Sequence, residues 1–137
     1  LIANRSHHAF VLYLGKNQSY LLILKNPGIL DELLKDRTPE YRKLDVAILH
    51  RLVIENVFDI KPEELEKLVA YERYWQDAVN RVDSGEFALA LFLNPTRPEQ
   101  VQALARQMER MPQKSTDFYP KLVSGLLFMD LAESKSL

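Results

Sequence analysis

Phe87-Ala88-Leu89-Ala90-Leu91-Phe92-Leu93 runs for seven residues without a polar side chain. In a strand, successive side chains point to opposite faces, so this segment offers solvent no polar side. A strand of that composition is central and covered on both sides, which requires helices layered against a sheet. The flanking segments supply those layers. Residues 75–82 carry helical spacing, and Gly85 follows as a stop signal. After the strand, Thr96-Arg97-Pro98-Glu99 has the form of a capping box, and Val101, Leu104, Ala105 and Met108 continue it at helical spacing. Residues 68–72 have strand composition, as does Leu126-Leu127-Phe128-Met129, with Gly125 permitting a turn before it. The second half of the chain therefore reads as a β-α-β-α-β unit.

The first half opens on a β-hairpin. Phe10-Val11-Leu12-Tyr13-Leu14 and Tyr20-Leu21-Leu22-Ile23-Leu24 are aromatic and aliphatic runs of strand length. Gly15-Lys16-Asn17-Gln18 between them suits a turn of more than two residues. Asn26-Pro27 marks a helix start, with Ile29, Leu30, Leu33 and Leu34 at helical spacing. Residues 36–43 are polar, carry Pro39 and read as a surface loop. A stronger helix starts at Asp45, whose side chain suits an N-cap, with Leu44 stapling onto Leu49. Ile48, Leu49, Leu52 and Val53 form its apolar face. Phe58 and Ile60 end it, and Pro62-Glu63-Glu64 opens a short helix. The fold class expected is α/β in the mixed α+β sense, an N-terminal hairpin and helices followed by the β-α-β-α-β unit. Residues 1–137 form a single domain on this reading, which begins at Leu1 close to a strand and is taken as a fragment of a longer protein.

Charge and composition narrow the functions. The formal net charge is −1, whereas proteins that grip nucleic acid draw their affinity from a basic excess. Nucleic acid is therefore disfavoured as a partner. The chain has no cysteine, which excludes disulfides, a thiol nucleophile and thiolate metal sites, and agrees with a cytoplasmic location. Its apolar runs are too short to span a bilayer, so no membrane association is expected.

Residues 111–121 gather Lys114, Ser115, Thr116, Asp117, Tyr119 and Lys121 around Pro112 and Pro120. Prolines stiffen the backbone, and lysines and hydroxyls give an anion both charge and directional donors. The segment reads either as an anion site or as a polar crossover that hydrogen-bonds itself. The turn Leu93-Asn94-Pro95-Thr96 lies at the end of the expected central strand and at a helix N-terminus, where anionic ligands bind α/β sheets. The alternative is that Asn94 and Thr96 only cap the helix. His7 and His8 are adjacent and would diverge on a strand, while His50 stands alone on a helix, so no metal site is expected. Among only four glycines there is no glycine-rich phosphate loop, and no nucleophile–histidine–acid spacing is legible. Cofactors stay unassigned.

Several segments are similar in order and spacing to one family. They are Leu44-Asp45-Val46-Ala47-Ile48-Leu49-His50-Arg51-Leu52, Val82-Asp83-Ser84-Gly85, Phe92-Leu93-Asn94-Pro95-Thr96, and Glu109-Arg110-Met111-Pro112-Gln113-Lys114-Ser115-Thr116 with Phe118-Tyr119-Pro120-Lys121 and Ser124-Gly125. Together these resemble the bacterial and archaeal domain-of-unknown-function family numbered 1015, some of whose members are labelled regulators of a sporulation and chromosome-partitioning protein. The resemblance implies that this chain is the C-terminal part of a longer protein. It also departs from the family: Ser6-His7-His8-Ala9 lacks the aspartate, glycine and arginine of the N-terminal Asp-Gly-His-His-Arg motif, and Asp117 replaces an aromatic or apolar residue. The resemblance raises Lys114, Ser115, Thr116, Tyr119 and Lys121, with Asn94 and Thr96 nearby, to candidate ligand-binding residues. The expected ligand is a small anionic or phosphorylated metabolite, with a loose link to serine metabolism. The alternative is a non-catalytic regulatory domain that meets a protein partner or a second copy through Tyr71, Tyr74 and Trp75.

Overall fold

A computed structural model of the protein describes residues 1–116. A 3₁₀ segment, Ile2–His7, leads into β1 (Ala9–Tyr13), which turns back as β2 (Ser19–Ile23). Each strand of the hairpin starts one residue earlier than the sequence pattern indicated. The turn between them uses positive φ at Gly15, Lys16 and Asn17. At Gly15, φ is +83°, a left-handed conformation in which a side chain would be strained.

Helices α1 (Ile29–Leu33), α2 (Pro39–Arg42) and α3 (Asp45–Ile48) follow. Asn26 does not cap α1. Its Oδ1 accepts a hydrogen bond from Gly28 N at 3.0 Å, closing a turn ahead of the helix. The stretch expected to be a plain loop contains α2, because Thr38 Oγ1 accepts from Tyr41 N and Pro39 takes the first helical position. From α3 the chain continues directly into a π-helical segment, Leu49–Val57. Then come a 3₁₀ turn at Pro62–Glu64, α4 (Leu65–Leu68), α5 (Trp75–Asp83), β3 (Ala90–Leu93) and α6 (Pro98–Arg106). Gly85, at φ +80°, stands just beyond α5 as its stop signal required.

The fold is mixed α and β, and among the described residues it has three strands in the order β2-β1-β3, with both pairings antiparallel. This differs from the expected β-α-β-α-β unit in three respects. Residues 68–72 form no strand: Leu68 closes α4, and 69–72 are irregular. The apolar run pairs only over Ala90–Leu93, and it lies at an edge of the sheet among the described residues. The central strand is instead β1, which pairs Phe10 with both Leu22 and Leu93. The expected strand at 126–129 lies outside the described residues.

The register explains the two layers. Phe10, Leu22, Leu91 and Leu93 share one face and pack on the main core with Leu30, Leu34, Leu44, Ile48 and Leu104. Tyr13 belongs to the opposite face, where its hydroxyl donates to Asp83 Oδ1 of α5 at 2.8 Å. The Asp83 carboxylate accepting this bond pushes the Tyr13 phenol pKa upward, with burial adding to the effect. Among the described residues no helix is long and apolar enough to cross a membrane.

Candidate functional site

Three segments distant in sequence meet where β1 begins. His8 links the 3₁₀ segment to β1 in a left-handed conformation, φ 50° and ψ 70°. This backbone region is costly for a residue with a Cβ and is held here by its surroundings. The His8 carbonyl accepts from Leu24 N, which extends the hairpin ladder by one rung. From that anchor its Nδ1 lies 2.8 Å from Asp45 Oδ1. Asp45 is the first residue of α3, and it makes no capping bond there, because both carboxylate oxygens are used elsewhere. Its Oδ2 accepts from Asn94 Nδ2 at 3.4 Å.

Asn94, at the end of β3, is only 4% exposed. A carboxylate only accepts, so the amide must turn its NH₂ toward Asp45. Asn94 Oδ1 is then left buried with no partner. An orphaned buried acceptor costs about 1–3 kcal/mol, and a functional role is one of the reasons a fold retains one.

These residues lie along a cleft of about 420 Å³. One wall is the turn from β3 into α6, from Asn94 to Arg97, continuing along α6 to Leu104. The other is the end of α2, with Glu40 and Lys43. Glu40 is already engaged, since Gln107 Nε2 donates to its Oε2 at 2.6 Å, and this bond holds the carboxyl below its ordinary pKa. Asp45 is engaged by His8 and Asn94. Lys43 and Arg97 make no ion pair among the described residues. The charged lining is therefore Lys43 and Arg97 against the carboxylates of Glu40, Asp45 and Glu99; the hydrogen-bonding of Glu40 and Asp45 fixes where their charge lies, and the two cations are the groups able to attract an anion.

Of the residues singled out from sequence, Asn94 and Thr96 line this cleft. Thr96 does not cap α6. That helix begins after Arg97, whose N–H donates to Gln100 Oε1 at 2.9 Å. Thr96 Oγ1 instead donates to the carbonyl of Ser115 at 2.9 Å, so the two candidate loops do meet. Their contact is structural on the Ser115 side: its hydroxyl donates to Pro112 O at 2.5 Å. Lys114 is exposed with φ 56°, Thr116 is exposed, and neither lines the cleft. Tyr119 and Lys121 lie outside the described residues. Sequence reasoning missed His8, Lys43, Asp45 and Arg97. The pairing of β1 with β3 brings His8 and Asn94 to Asp45, and the packing of α2 on α6 brings Lys43 to the same cleft as Arg97.

His50 is separate. Its ring stacks on Tyr71 with centroids 5.9 Å apart and planes at 8°. Burial pushes its pKa down, against a smaller opposing pull from Glu55. Comparison with protein-family models, curated proteins and solved structures gave no match.

Proposed function

We propose that this chain is the ligand-binding part of a cytoplasmic protein, of the family its motifs resemble, that handles a small anionic or phosphorylated metabolite. The observation that carries this reading is the cleft itself. Its lining holds two cations that make no ion pair among the described residues, Lys43 and Arg97, and a buried amide whose oxygen has no partner there. An anionic group completes the cations, and a polar body fills the floor. The His8–Asp45 pair is also the arrangement by which an imidazole is fixed in one tautomer for proton transfer. That pairing supports a catalytic role without naming a reaction.

The test is a thermal-shift titration of the protein with inorganic phosphate and simple phosphate esters. A ligand present at a hundredfold excess over its Kd stabilises the fold by roughly 2.7 kcal/mol. A shift in the wild type that disappears in Lys43→Ala/Arg97→Ala is the expected result. A shift of equal size in that variant sinks the reading.

One observation favours a second reading, in which the chain docks on a protein partner. Tyr71 and Tyr74 are exposed, and Trp75 is 62% exposed. Large aromatics on a surface are typical of interface anchors. On that reading Trp75→Ala abolishes partner capture while leaving phosphate binding intact.

A further inference from the structure

We infer that the ligand of this cleft is an organic phosphate that also carries a hydrogen-bond-donating group, a hydroxyl or a primary ammonium, seated against Asn94 and His8. The inference rests on the anion-binding reading above and names the rest of the ligand. It follows from the acceptor-only character of one side chain. Asp45 cannot donate when ionised, so both of its neighbours must turn donors toward it. Asn94 therefore gives its Nδ2 and keeps Oδ1 as an acceptor. His8 gives Nδ1–H, and in the neutral ring Nε2 is left as a lone-pair acceptor. Asn94 Oδ1 has no partner among the described residues, and the side-chain bond of His8 is made by Nδ1, not Nε2. One carboxylate thus sets two acceptors on residues that line the same cleft.

Such a floor discriminates. A plain alkyl phosphate satisfies Lys43 and Arg97 but leaves both acceptors unmatched. A ligand with an O–H or N–H group matches them, and sites built around such groups reject analogues that lack them. Asn94 Oδ1 is closed to solvent. The inference requires the Asn94 side chain to rotate so that Oδ1 reaches the ligand, against a weak 3.4 Å bond to Asp45. His8 needs no such movement, being partly exposed at the cleft.

The experiment is isothermal titration calorimetry on the full chain with two matched pairs: phosphoethanolamine against ethyl phosphate, and glycerol 1-phosphate against propyl phosphate. In at least one pair the donor-bearing compound is expected to bind at least about tenfold more tightly than its plain partner, and the pair that shows it identifies ammonium or hydroxyl as the donor. In His8→Gly, which tolerates the left-handed backbone and carries no side-chain acceptor, that advantage is expected to fall below about threefold while the plain ester keeps its affinity. Equal affinities within both pairs overturn the inference and leave the anion-binding reading standing. An advantage that survives in His8→Gly also overturns it. Failure of every compound, the plain esters included, removes the anion-binding reading and the inference with it.

Discussion

Asp45 stands at a helix start and commits both carboxylate oxygens to other segments, Oδ1 to His8 and Oδ2 to Asn94. Truncation leaves two donors facing a partly buried void, and hydrogen bonds to a charged group contribute about 1.5–3 kcal/mol. Asp45→Ala is therefore expected to lower unfolding stability by about 1.5–3 kcal/mol in urea denaturation. An ordinary exposed cap would lose less, about 1 kcal/mol. The residue was visible in the sequence, but its role was not. An aspartate ahead of Val46-Ala47-Ile48 satisfies the pattern of an N-cap completely, so nothing local asks for another explanation. The contact with His8 spans 37 positions, and no local pattern encodes a pairing of that kind. His8 was also hidden by its own backbone: a left-handed residue breaks the strand alternation from which its direction was inferred.

At the scale of elements, those that carry their own start and stop signals were legible. The hairpin, α5 with Gly85, and α6 came out near their observed bounds because turn and cap chemistry lies within a few residues. Where the outcome depended on tertiary packing, sequence reading failed. The apolar run at 87–93 pairs over only four residues, and the strand expected at 68–72 became irregular chain beyond α4. That irregular chain is held by Tyr71 against His50 of the π-helical segment. This contact gives a pH prediction. Burial lowers the folded-state pKa of His50, so the unfolded chain binds the proton more readily. The stabilising contribution of neutral His50 is full above the unfolded value of about 6.5 and is lost as pH falls from there through the lower folded pKa. His50→Phe keeps an aromatic ring on Tyr71 and cannot titrate. Urea midpoints of the wild type are expected to fall between pH 7.5 and pH 5.5 by more than those of the variant. A second prediction belongs to the β3–α6 turn. Thr96→Val removes the donor to Ser115 O, and faster amide hydrogen exchange in 111–116 is the expected consequence.

In the whole molecule, core and cleft are one construction, because Leu104 belongs to both. It is 1% exposed, packs in the main cluster and also lines the cleft. Ile48, at 0% exposure, lies in the same cluster but lines no part of the cleft. Truncating a buried Leu or Ile to Ala removes transfer energy and leaves a cavity, at a cost of about 2–5 kcal/mol. Leu104→Ala and Ile48→Ala are therefore expected to destabilise the fold by comparable amounts. Their effects on the ligand should differ. Leu104 packs α6 onto the core and lines the cleft, so its loss is expected to let the wall that carries Arg97 relax, and an ordered site loses affinity when its support loosens. Phosphate titrations of the two variants, each below its unfolding range, should show weakened binding in Leu104→Ala and wild-type binding in Ile48→Ala. Equal weakening would mean that binding follows global stability, and the cleft would then be a surface of the fold with no dedicated support. Loss confined to Leu104→Ala would mean that the core residue nearest the cleft holds the ligand's geometry, with His8, Asp45 and Asn94 forming the floor that this support keeps in place.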